Sequence, residues 1–132
     1  PIYPDGCVCM MDKPKDIMRR FRRAVTNCGA WVKFDKENKP GISNLFSICC
    51  AATGKAVAEA EASFAGQGYG IFKPAVAESV IELLRPIREE AERLTADKAY
   101  LESVYKDGAQ KASYLAEKTL RKVYKKVGFV AR

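Results

Sequence analysis

The chain has 132 residues, 48% of them apolar, enough for one compact domain with a real core; its 23 Lys and Arg against 16 Asp and Glu give a net charge of +7, which points to an acidic partner such as nucleic acid or a membrane surface. The absence of histidine removes the commonest acid-base group at neutral pH, and five cysteines without matched spacing argue against both a disulfide framework and a zinc site. No apolar run approaches the ~20 residues that cross a bilayer, and the first residues lack the basic-then-apolar pattern of a secretion signal, so a cytoplasmic protein with reduced thiols and no membrane contact is expected.

Residues 1–11 carry Pro and Gly punctuation and no 3.6-residue period, which predicts a loop or short extended entry. Asp12 suits an N-cap and Pro14 a first turn; Ile17, Phe21, Ala24, Val25 and Cys28 then make an apolar stripe ending at Gly29. Lys13, Lys15, Arg19, Arg20, Arg22 and Arg23 are expected to face away from that stripe. From Ala30 to Pro40 the brief alternating run Trp-Val-Lys-Phe-Asp predicts an extended connector, since one short strand makes no sheet.

Helix signals resume with Ile42, Leu45, Phe46, Cys49 and Ala52 and stop at Gly54, a natural left-handed C-terminal residue. An Ala-rich helix over 55–65 follows, with Val57, Ala60 and Phe64 inward, and the loop Gly66-Gln67-Gly68-Tyr69-Gly70 reverses the chain. The organising element is the next helix, where Val76, Val80, Leu83, Leu84, Ile87, Ala91 and Leu94 recur at three-and-four spacing opposite Glu78, Glu82, Arg85, Arg88, Glu89, Glu90, Glu92 and Arg93. Pro86 should kink or locally break it near Leu84 or Arg85, because proline donates no hydrogen bond and crowds the preceding turn. The other segments are expected to cover its apolar stripe.

A short helix over 98–106 is expected to end at Asp107-Gly108. The last helix places Ala112, Leu115, Ala116, Thr119, Leu120, Val123 and Val127 on one side and Lys111, Lys118, Arg121, Lys122, Lys125 and Lys126 on the other. Gly128 stops it, and Phe129-Val130 can fold back. The sum is an all-α bundle of about six helices, one helical domain over 12–132 with a short extended entry.

Signals for catalysis are sparse. Gly66-x-Gly68-x-Gly70 follows no strand and lacks dinucleotide-binding spacing. Cys49 and Cys50 have no histidine partner and read as buried thiols, and the Glu residues of the central helix read as a solvated face. What remains is basic surface on two helices, with Trp31, Tyr69, Tyr105, Tyr114 and Tyr124 available for stacking. Tyr124 is assigned to the core, and Tyr69, set among glycines, is the better exposed candidate.

Several stretches together carry a resemblance: 22–27 (RRAVTN), 34–45 (FDKENKPGISNL), 66–73 (GQGYGIFK), 84–89 (LRPIRE), 107–112 (DGAQKA) and the ending Gly128-Phe129-Val130. In this order, and over nearly all of the chain, they resemble the C-terminal part of bacterial tryptophanyl-tRNA synthetases. The resemblance implies a class I enzyme whose N-terminal Rossmann domain binds ATP and tryptophan and whose helical C-terminal domain receives the tRNA anticodon. The HIGH and KMSKS signatures that hold the ATP phosphates are not in this sequence, and Pro1-Ile2-Tyr3-Pro4-Asp5-Gly6 is similar to the segment just after the second. Asn27 stands where the family has Asp.

The resemblance therefore implies the synthetase without its catalytic half, with no catalytic residue and no cofactor in this chain. Its expected partner is tRNA for tryptophan, and a separate Rossmann polypeptide is a possible second one. The isolated chain is expected to be a monomer, the parent enzyme a homodimer. Lys39, Asn44, Tyr69 and Lys73 are expected near the domain junction, and Lys111, Lys118, Arg121 and Lys122 on the tRNA-facing surface. The alternatives are one half of a split synthetase and a truncated paralogue that binds an acidic protein.

Overall fold

Proline opens the first two helices, where its fixed φ suits the helix and its missing N–H is not needed. The computed structural model describes residues 6–26 and 31–130. Among these residues there are five α-helices and no strand: α1 (Pro14–Arg23), α2 (Pro40–Thr53), α3 (Val57–Ser63), α4 (Tyr69–Ala96) and α5 (Lys98–Val127). The expectation of an all-α architecture holds, with five helices in place of about six. The extra helix disappears because Asp107-Gly108 does not end one, and α5 runs through it unbroken. A glycine inside a helix costs only about 1 kcal/mol, and the ion pairs Glu102–Lys106 (2.9 Å), Asp107–Lys111 (2.6 Å) and Glu117–Arg121 (3.0 Å) support α5 at i,i+4 spacing.

Two helix starts differ from expectation. The N-cap of α1 is Lys13, with no side-chain cap. Asp12 instead accepts hydrogen bonds from the Cys9 amide (2.8 Å) and from Arg20 Nη1, which also donates to the Cys7 carbonyl. Arg20 is thus drawn inward and ties the entry segment to α1. The central helix starts early, at Tyr69, so only Gly66–Gly68 of the expected loop lies outside it. Pro74 and Pro86 both lie within α4, and the expected break near Leu84 is absent.

The helix ends follow backbone chemistry. α1 stops at Arg23, short of the expected Gly29, where the β-branched pair Val25-Thr26 begins. The readings at Asn27, Cys28, Gly29, Ala30 and residues 1–5 lie outside the described residues. Gly54 and Gly128 take φ of 73° and 80°, and their amides donate to the Cys50 and Tyr124 carbonyls, closing α2 and α5. Past Gly128 the Phe129 ring returns against Tyr124 at 5.8 Å, edge to face.

The chain divides into two compact units, one through Glu89 and one from Glu90, the division falling within α4. The core of the first unit is built on four phenylalanines. Phe72 of α4 lies 4.6 Å from Phe46 of α2 and 4.9 Å from Phe64, and Phe34 meets Phe46 edge-on at 6.1 Å. Around them Ile17, Phe21, Val32, Ile42, Leu45, Cys49, Ala60, Val76, Ala77 and Val80 are buried.

The predicted stripe of α4 is only partly the buried one. Val76 and Val80 are buried and Leu84 half-buried, yet Leu83 and Ile87 are exposed and Arg88 is buried. Burial follows the four-residue series 76, 80, 84, 88. Each such step rotates about 40° around the helix, which carries the inner face away from Leu83 and Ile87 and onto Arg88. The second unit has α5 as its main element, and no residue of α5 is buried. No helix among the described residues is long and apolar enough to cross a membrane.

Candidate nucleic-acid interface

The loop from Trp31 to Lys39 is held by several side-chain hydrogen bonds. Asp35 organises it: its carboxylate accepts from the amides of Glu37 (3.1 Å) and Asn38 (3.0 Å) and from Asn38 Nδ2 (2.9 Å). Those bonds, the Asn38 backbone amide foremost, hold the carboxyl below the usual carboxylate range. The Asp35 amide donates to Ser43 Oγ and the Phe34 amide to Glu61 Oε1, both at 2.9 Å, fixing the loop to α2 and α3. Side chains alternate along it: Val32 is buried and Phe34 half-buried, while Trp31 and Lys33 point outward.

Two of the four junction candidates meet here. Lys39 Nζ donates to the Trp31 carbonyl at 3.1 Å, and the Tyr69 hydroxyl donates to the same oxygen at 3.4 Å. Lys73 is placed apart from them, its Nζ donating to the Ala24 carbonyl at 2.9 Å. Asn44, exposed on the first turns of α2, lines a shallow cleft of about 230 Å³ with Lys36, Pro40, Ser43 and Ser47. Tyr69 is half-buried rather than exposed, and the exposed aromatic of this region is Trp31, at 65%. The alternation Trp-Val-Lys-Phe was the signal for it. Lys36 was not singled out in the sequence; its ammonium stands 5.8 Å from the centre of the Phe34 ring, at the mouth of the cleft.

The four tRNA-facing candidates all lie on α5. Lys111, Lys118 and Lys122 are separated by seven and four residues and share one face, with Arg121 at its edge. Lys111 is paired with Asp107 and lies in a shallow depression of about 500 Å³ with Gln110, Tyr114 and Leu115. Arg121 is paired with Glu117. Lys118 and Lys122 are exposed and make no ion pair among the described residues.

For covalent or metal chemistry the described residues offer little. No group of three or more His, Cys, Asp or Glu among them could hold a metal ion. Cys49 is buried, and burial, with the neighbouring Cys50, pushes its thiol up, opposite to what a nucleophile needs.

No family model matches the chain. It is 47% identical over 126 residues to the tryptophan–tRNA ligase of Clostridium tetani, covering 96% of this chain and 37% of that protein. The chain is a homologue of tryptophan–tRNA ligases, matching their C-terminal part. The ligase of Oceanobacillus iheyensis is 45% identical over 123 residues, again covering 93% of this chain and 37% of the relative. The chain therefore spans a little over a third of the length of the ligases it matches. A solved tryptophanyl-tRNA synthetase from Mycoplasma pneumoniae superposes with a TM-score of 0.61 at 21% identity, over 96% of this chain and 40% of that one. The helical order described above is thus the fold found in a tryptophanyl-tRNA synthetase.

Proposed function

We propose that this chain is the tRNA-binding helical part of a tryptophanyl-tRNA synthetase and receives the anticodon arm of tRNA for tryptophan. The observation that carries the reading is the match to tryptophan–tRNA ligases along 96% of the chain. The chemistry agrees: a net charge of +7, no histidine, and a helix with Lys118 and Lys122 exposed and without an ion pair among the described residues. Lysines meeting phosphates release counterions, so affinity falls steeply with salt, while unpaired anticodon bases are read by stacking and edge contacts. On this reading Lys111, Lys118, Arg121 and Lys122 contact the RNA. Lys39, Asn44, Tyr69 and Lys73 lie toward the catalytic part of the synthetase, which brings ATP and tryptophan.

The test is a binding titration of labelled tRNA for tryptophan at several salt concentrations, with the chain as it stands and with Lys118→Gln/Lys122→Gln. The reading predicts that the double variant weakens binding and lowers the slope of log affinity against log salt by about 1 per lysine. An unchanged slope would remove this face of α5 from the interface, and no binding to tRNA by the unaltered chain would contradict the reading itself.

A further inference from the structure

A tryptophan that is 65% exposed leaves most of a large apolar ring in water, while its backbone is tied down. Its carbonyl is held by two side chains from separate places in the chain, Lys39 and Tyr69. The residues after it are pinned by Glu61, Ser43 and the Asp35 turn, so the segment that follows the indole is ordered by the fold itself. Lys33 points outward from the same run, and Lys36 follows at the cleft lined by Asn44. An exposed aromatic face on a segment that also exposes Lys33 and Lys36 suits one ligand class well: every nucleobase offers a π-face of matching size, and the phosphates on either side of it answer the lysines.

We infer that Trp31 is a stacking platform for an unpaired nucleotide, with Lys33 and Lys36 meeting the phosphates beside it. This rests on the tRNA reading and deepens it, because it names a second contact, on the first compact unit beside the junction candidates Lys39 and Tyr69, for single-stranded rather than helical RNA. An acidic peptide would satisfy the lysines and leave the indole face uncovered, which is why RNA is the occupant the arrangement favours.

The experiment uses a convenience of composition: Trp31 is the only tryptophan of the chain, so emission excited at the red edge, where tyrosine does not absorb, reports on this ring alone. The intact chain is titrated at low salt with a stem-loop RNA carrying an unpaired seven-nucleotide loop, with a blunt RNA duplex of equal charge, and with poly-glutamate. The expected result is saturable quenching of Trp31 by the stem-loop and little change with the other two. Anisotropy of the labelled stem-loop is expected to show about tenfold weaker binding for Trp31→Ala and less than threefold for Trp31→Phe, with far-ultraviolet circular dichroism unchanged because the side chain is exposed.

Equal quenching by duplex or by poly-glutamate would overturn the inference in favour of general charge or a protein partner. Stem-loop binding by anisotropy without quenching would overturn it while leaving the tRNA reading intact. Absence of any RNA binding would overturn both.

Discussion

Lys73 places its ammonium 2.9 Å from the carbonyl of Ala24, a residue 49 positions earlier in the chain, at the point where α1 ends. One part-buried lysine thereby satisfies a carbonyl that the helix has released and ties the start of α4 to the end of α1. Replacing it with Met keeps the aliphatic stem and removes the donor. Lys73→Met is expected to lower stability by about 1–2 kcal/mol, read as a reduced urea midpoint with an unchanged slope.

Phe72 has no exposed surface and packs on both Phe46 and Phe64. Phe72→Ala is expected to cost about 3–5 kcal/mol, enough to leave the first unit partly unfolded at 37 °C. Leu115→Ala, a change of similar chemistry at a position 66% exposed on α5, is expected to shift stability by less than about 0.5 kcal/mol. Parallel thermal melts compare the two.

The thiols differ in environment. Cys9 is exposed, whereas Cys49 is buried with its thiol pushed up by that burial, so Cys49 is both shielded from reagent and less ionised than an ordinary thiol. Alkylation by iodoacetamide followed by peptide mass spectrometry is expected to modify Cys9 at least tenfold faster than Cys49 under native conditions. The difference should vanish in denaturant.

Most of the fold was legible because helix periodicity and glycine stops are local signals. α2 with its stop at Gly54, and the final Gly128 with Phe129 folding back, appear as the residues predict. The departures come where tertiary contacts outweigh local rules. Asp12 looks like a cap but is taken by Arg20, and Arg88 looks like surface but lies on the rotated inner face of α4. Asp107-Gly108 looks like a stop but is carried by ion pairs along α5. At the candidate site, Lys39 and Tyr69 are both expected near the domain junction, on loop position alone. Loop position did not reveal that both are engaged by the Trp31 carbonyl, because a hydrogen bond spanning 38 residues has no pattern in the sequence.

The Asp35 turn carries a pH dependence of defined sign. Its carboxyl has a lower pKa folded than unfolded, so the stability it contributes is present above about pH 4, the ordinary Asp value, and is lost as pH falls through the folded-state value. The Asn38 amide resonance, which reports the bond to Asp35, is expected to titrate with a midpoint below the ordinary Asp value. In Asp35→Asn that titration should be absent.

Recognition of the anticodon by this helical part is the central proposal. Its most direct test is a binding titration of the chain against tRNA for tryptophan and the same tRNA with its anticodon replaced, each at low and at physiological salt. A preference of tenfold or more for the natural anticodon, about 1.4 kcal/mol, is the predicted result. Equal affinity for the two tRNAs at both salt concentrations would contradict it.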